Sequence, residues 1–309
     1  MATTTSITTT YAGEFAGEYI SAALLSGNTL ENGGITIKPN VKHKEVIKKI
    51  STDTLIKDAT CDFDPTSTVT LAERILQPTE LQVNLQLCKK DFHSDWEAAA
   101  MGYSAFDNLP PKFSDFLLGH VAAKVAQKTE QTIWAGAAAN AGEFGGFVEL
   151  LTADADVTDV AAVGGGVNSG NVVAQLGAIV DAVPSTLYGN EDMAIYVSQN
   201  IAKAYVRALG GFATNVGASG IDAQGTQWYT GGTLSFDGIR LFTANGLANN
   251  TAVAAEKSNL FFGTGLMSDQ NEVKVIDMAD IDGSQNVRVV MRYTAGVQYG
   301  IGGDIVLYS

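Results

Sequence analysis

Leu81-Gln82-Val83-Asn84-Leu85-Gln86-Leu87-Cys88 alternates along its whole length, with leucine and valine on one face and amides on the other. Successive side chains of a strand point to opposite faces, so this segment reads as a strand with one apolar and one solvated side. Just upstream, Val69-Thr70-Leu71-Ala72-Glu73-Arg74-Ile75-Leu76-Gln77-Pro78 also has strand character. Pro78 between them suits a bend or a sheet edge, because proline brings no N–H to a ladder. The two segments together read as a long hairpin. Its polar face is too large for a buried core strand.

Working outward, Ile35 to Lys57 alternates crudely and is rich in lysine: Lys38, Lys42, Lys44, Lys48, Lys49 and Lys57, against Glu45 and Asp53. One reading is an exposed strand whose lysines discourage edge pairing. Another is a basic ribbon that docks on the acidic face of a further copy. Contact with nucleic acid or lipid is a third. Upstream, residues 1–34 read as an arm. A Thr/Ser tract leads into a short helical pattern of Phe15, Tyr19, Ala22 and Ala23, broken by Gly27-Asn28 and Asn32-Gly33-Gly34. So small an apolar stripe cannot bury itself, and must lie on the main body or on a neighbour.

Downstream, Pro110-Pro111 opens a helix in which Phe113, Leu117, Val121 and Val125 recur at i+4, joined by Phe116, Ile133 and Trp134, with Gly136 as its stop. About 23 residues at about 1.5 Å each make a spine of roughly 35 Å. The middle of the chain then changes character. No Lys or Arg occurs between Lys128 and Lys203, while Glu143, Glu149, Asp154, Asp156, Asp159, Asp181, Glu191 and Asp192 are acidic. Helices are expected at 172–183 and 199–209, strands at 193–198, 239–242, 260–263, 273–277, 287–293 and 296–299, and a mobile loop over 210–232. A helical middle framed by early and late strands predicts an α+β protein, in which distant segments return to share a sheet.

Composition narrows the function. The 309 residues are 46% apolar and only 17% charged, against about 25% charged in a typical domain. Much of the surface is therefore uncharged or meets other subunits. A net charge of −14 argues against tight DNA binding, which relies on Lys and Arg against phosphate. The only cysteines, Cys61 and Cys88, cannot build a disulfide framework or a four-cysteine zinc site, and read as reduced thiols. The N-terminal tract lacks positive charge and a long apolar run, so neither a signal peptide nor a membrane span is expected.

Chemistry finds little support. His43, His93 and His120 have no metal-ligand spacing. His93 sits among Asp91 and Asp95 as a surface or capping group, and His120 reads as packed beside the spine's apolar stripe. Gly164-Gly165-Gly166-Val167-Asn168-Ser169-Gly170 lacks the Gly-Lys-Ser/Thr ending of a phosphate loop and reads as a flexible turn. Asp280-Ile281-Asp282-Gly283 resembles part of a calcium loop, but its twelfth position is Met291, so a turn is expected. No catalytic residue, cofactor or metal is assigned.

The order of these parts resembles the major capsid proteins of tailed bacteriophages, which share a fold with herpesvirus capsid subunits and encapsulins. Ala72-Glu73-Arg74-Ile75-Leu76-Gln77-Pro78 with the strand after it is similar to the family's second extended-loop strand. Lys128-Thr129-Glu130-Gln131-Thr132-Ile133-Trp134-Ala135-Gly136 resembles the end of its spine helix. The run from Arg292-Tyr293 through Gly296-Val297-Gln298-Tyr299 to Asp304-Ile305-Val306-Leu307-Tyr308 resembles its last strand.

The resemblance implies an HK-97-like phage capsid fold: an N-terminal arm (1–34), a strand and extended β-hairpin loop (35–90), a peripheral domain with a long spine helix (91–145), an axial domain (146–258) and returning strands (259–309). It implies assembly with many copies as hexamers and pentamers into a shell in the virion that encloses DNA without sequence-specific binding. A portal is implied, along with decoration proteins in some members. No charged helical segment precedes the arm, which points to a separate scaffolding protein. Phe15 and Tyr19 of the arm and Lys48, Lys49, Lys57, Glu73 and Arg74 of the extended loop become the candidate inter-subunit contacts. An encapsulin-like compartment shell and a secreted β-rich surface protein are the alternatives.

Overall fold

The computed structural model describes residues 28–52, 56–59, 61, 68–92, 111–209, 234–265 and 273–309. The arm residues Phe15 and Tyr19, His93, Pro110 and the 210–232 loop lie outside them. After α1 (Asn28–Glu31) come β1 (Thr36–Lys38), β2 (Glu45–Thr52), β3 (Val69–Leu76), β4 (Thr79–Cys88), α2 (Pro111–Ala135) and α3 (Phe147–Thr152). The middle holds β5 (Thr158–Val160), α4 (Val172–Ala182), β6 (Met193–Val197), α5 (Gln199–Leu209), β7 (Leu234–Phe236), β8 (Ile239–Thr243) and β9 (Ala252–Glu256). The chain closes with β10 (Leu260–Thr264), β11 (Lys274–Asp277), α6 (Ala279–Asp282), β12 (Asn286–Tyr299) and β13 (Val306–Tyr308).

The hairpin expected between 69–76 and 81–88 is not formed. β3 pairs instead with β2, antiparallel from Glu45↔Leu76 to Thr52↔Val69. β4 pairs with β12, from Asn286↔Cys88 to Ala295↔Thr79. Pro78 marks the point where the chain leaves one sheet for another. The alternation of β4 is real: Leu81, Val83 and Leu85 are half-buried and Leu87 is buried, while Gln82, Asn84 and Gln86 are exposed. That pattern suits a strand beside β12 with one face on the core as well as it suits a hairpin. Periodicity alone could not choose the partner.

β12 is one strand of 14 residues where two shorter ones were expected. It carries β4 along one side, with β11 and then β10 along the other, and β1 extends the sheet beyond β10. The expected break fell at Thr294–Ala295, and the strand runs through it. Next to it, Gly296 is small where the Gln77–Pro78 bend crosses: a Cβ there would lie 3.0 Å from the Gln77 carbonyl oxygen and from Pro78 Cα. A second sheet runs β5-β13-β9-β6-β8-β7. Its strand β6 is buried at every position, because both faces of this sheet are covered. Met193, Ile195 and Val197 face the core under α4 and α5. Ala194 and Tyr196 face the other core, shared with α2, α3 and the β12 sheet.

The long helix follows its sequence pattern, with Val121, Ala122, Val125, Ala126, Ile133 and Trp134 buried. His120 is exposed, so it points away from the core rather than packing beside the stripe. Gly136 ends the helix for a reason of space. Any Cβ there would fall 2.5 Å from the carbonyl oxygens of Thr132 and Phe144, where Gly146 N–H donates to Gly136 C=O at 2.9 Å. The Gly164–Gly170 loop is tied down, with Val167 N–H donating to Asn250 Oδ1 at 2.9 Å. Asn250 in turn bonds Asn200 at 2.6 Å.

At the end of α2, the Glu143 carboxylate takes bonds from Lys128, from Asn140 Nδ2 at 3.0 Å and from Ala137 N–H at 3.1 Å. These hold its pKa down from 4.5 to about 2, the Lys128 bond contributing most. A carboxyl depressed on folding stabilises the fold above its unfolded value and loses that contribution as pH falls towards its folded value. Urea denaturation of Glu143→Gln is therefore expected to show a shallower loss of stability between pH 4.5 and 2 than the parent chain. An unchanged slope refutes the assignment.

Candidate assembly interface

β2 and β3 form a two-stranded ribbon outside both larger sheets. Directly paired residues share a face. Val46, Lys48, Ile50 and Thr52 therefore lie on the same side as Ile75, Glu73, Leu71 and Val69. This side is exposed and largely apolar: Ile50 is 66% accessible and Leu71 76%. Lys48 faces Glu73 across the strands in its middle. A flat, greasy two-stranded surface in water is an aggregation liability unless something covers it. Beyond the ribbon, Ile56 is 88% exposed, and Lys57 beside it is also exposed.

The opposite side carries Glu45, Ile47, Lys49 and Ser51 with Leu76, Arg74, Ala72 and Thr70. At its root, Ile47 and Leu76 are buried with Val41 in a small core that Phe261 completes. Leu76 lies so close to Gly263 that a Cβ there would meet its side chain at 2.8 Å. Lys49 is half-buried and draws down the carboxyl of Asp304, which burial holds above its ordinary value. Of the two neighbouring lysines, Lys48 is the outward one.

Arg74 is engaged within its own chain. Nε donates to Gly300 C=O at 3.1 Å, and the guanidinium bonds Asp154 and lies 4.2 Å above the Tyr299 ring. Tyr299 O–H also donates to Asp154 Oδ2, at 2.7 Å. That bond, more than any other group, holds the Asp154 carboxyl below its ordinary value. Sequence reasoning missed Asp154 and Tyr299. They lie 80 and 225 residues beyond Arg74, and no local pattern links them.

Of the acidic residues of the middle third, Glu149, Asp156, Asp159, Asp181, Glu191 and Asp192 are all exposed. Asp280–Asp282 forms a helical turn closed by Gly283 at φ 72°, with Ser284 N–H donating to Asp282 Oδ1 at 2.9 Å. Cys61 and Cys88 are free thiols.

No family model and no curated protein matches the sequence. Solved structures match its fold. The capsid of a native GTA particle computed with C5 symmetry superposes with a TM-score of 0.58 at 11% identity, over 99% of this chain and 94% of that one. The Mycobacterium phage Adephagia structure gives 0.58 at 15%, over 97% and 94%. A virus-like particle from Pyrococcus furiosus gives 0.52 at 7%, over 94% and 98%. The chain has the phage capsid fold. The paired strands expected at 69–88 are replaced by the β2–β3 ribbon, with β4 in the larger sheet.

Proposed function

We propose that this chain is the major capsid protein of a tailed phage, self-assembling as hexamers and pentamers into an icosahedral shell around double-stranded DNA. The observation that carries the proposal is the apolar outer face of the ribbon, on a chain whose fold matches phage capsids over nearly its whole length. Single domains rarely keep a contiguous apolar face in water without a partner. In this reading Lys48, Lys49, Lys57 and Glu73 of the extended loop, together with Phe15 and Tyr19 of the arm, contact neighbouring copies. Arg74 acts one step behind them. Each contact is weak, and the shell is held because every subunit makes several at once.

A net charge of −14 suits a wall that encloses DNA without gripping it. A separate scaffolding protein, a portal and decoration proteins complete the proposed set of partners, with the shell in the virion after assembly in the host cytoplasm. The likeness to the Pyrococcus furiosus particle favours a second reading, an encapsulin-like compartment shell. Electron microscopy of the purified protein is the test. Closed shells of uniform diameter are expected, and a stable monomer at high concentration refutes both readings. Nucleic acid inside particles recovered from cells supports the phage shell, and a protein cargo supports the compartment.

A further inference from the structure

We infer that Arg74 is the positioning residue of the ribbon, fixing the angle at which β2 and β3 leave the body. The consequence for shells rests on the capsid reading above; the lock itself does not.

A two-stranded ribbon is barely stable alone and has no stiffness of its own to set its direction. Past Arg74, the β3 residues Val69 to Glu73 are all exposed, as are Ile50, Ser51 and Thr52 opposite. Direction must be set at the root. The apolar contacts there, among Leu76, Ile47 and Val41, are non-directional and tolerate rotation.

Arg74 adds what they lack. Its planar fork bonds Gly300 C=O at the end of β12 and Asp154 just after α3, while its flat face rests on Tyr299. One rigid group thus senses two elements of the body at once, which a flexible ammonium cannot do. Gln298 Nε2 donates to the next residue's carbonyl, Ile75 C=O, at 3.1 Å, and extends the grip. Val69 lies five residues further out, about 17 Å at about 3.4 Å per residue, so a swing of about 10° displaces it by about 3 Å. Errors at the root are magnified where neighbours would meet.

The test is a distance distribution between spin labels on Leu71→Cys and Val173→Cys, in the full-length unassembled chain carrying Cys61→Ser and Cys88→Ser. One narrow peak is expected with Arg74 present. Arg74→Met is expected to lose that peak to a broad distribution while the thermal transition of the body stays cooperative. Arg74→Lys keeps the charge without the fork, is expected to broaden it less, and decides the matter should the methionine variant fail to fold. A narrow peak retained in the folded variants, or a broad one in the parent chain, overturns the inference. In assembly, Arg74→Lys is expected to give shells of mixed diameter where the parent gives one. A parent chain that forms no shells sinks the capsid reading and leaves the label result standing on its own.

Discussion

Lys48→Glu with Lys49→Glu is expected to abolish assembly while leaving the subunit folded. Lys48 stands in the centre of the exposed ribbon face, opposite Glu73. Lys48 is exposed, so its reversal costs the fold little, as for most surface changes; Lys49 is half-buried near Asp304, and its reversal costs more but removes no core contact. Between copies the effect is larger. The basic stretch would otherwise meet a neighbour whose middle third has no Lys or Arg from 129 to 202, and reversal sets like charges face to face. The defect repeats at every ribbon in the shell, so modest losses multiply. Sedimentation and electron microscopy read assembly, and circular dichroism reads folding. Normal shells from the double variant remove the electrostatic account. Assembly of the parent chain should also weaken between about 0.1 and 1 M salt, as the screening length falls from about 10 to about 3 Å.

Trp134→Ala is expected to cost about 3–5 kcal/mol of stability, a large share of the roughly 5–15 kcal/mol that holds a typical domain. Trp134 is fully buried at the meeting of the two sheets. Its ring packs 5.0 Å from Tyr196 on β6 and 5.3 Å from Phe147 on α3. Its indole N–H donates to Thr29 Oγ1 at 2.7 Å, and Thr29 donates through Oγ1 to Glu130 at 2.5 Å. Truncation thus opens a cavity and also leaves part of a buried polar knot without its donor. Gly246 closes the same knot, because a Cβ there would lie 2.0 Å from the Glu130 carbonyl oxygen. Urea denaturation measures the loss, and a change under about 1 kcal/mol shows that the site repacks.

These two sites differ in how far they could be read in advance. Trp134 lay on a stripe whose spacing marked it as core, and the helix around it formed at 111–135 as that spacing required. Lys48 and Lys49 stood out as a basic run in an acidic chain. Arg74 was singled out as well, but its role was not visible, because Asp154 and Tyr299 reach it only through the fold. The apolar face of the ribbon was hidden for a related reason. Val46 and Ile50 belong with Leu71 and Ile75 only once β2 is known to pair with β3.

Side-chain spacing by itself marked the longer strands and helices and most of the faces that turned inward, because burial acts residue by residue along the chain, but it passed over α3 and the short strands β5, β7 and β9. It also set the charge contrast between the basic ribbon and the acidic middle. Only the tertiary structure decided partners: β4 with β12 rather than β3, and Arg74 with Asp154. A strand offers the same row of N–H and C=O groups to any other strand. The choice among them is made by how the whole core closes around 14-residue β12, and no short stretch of sequence contains that information.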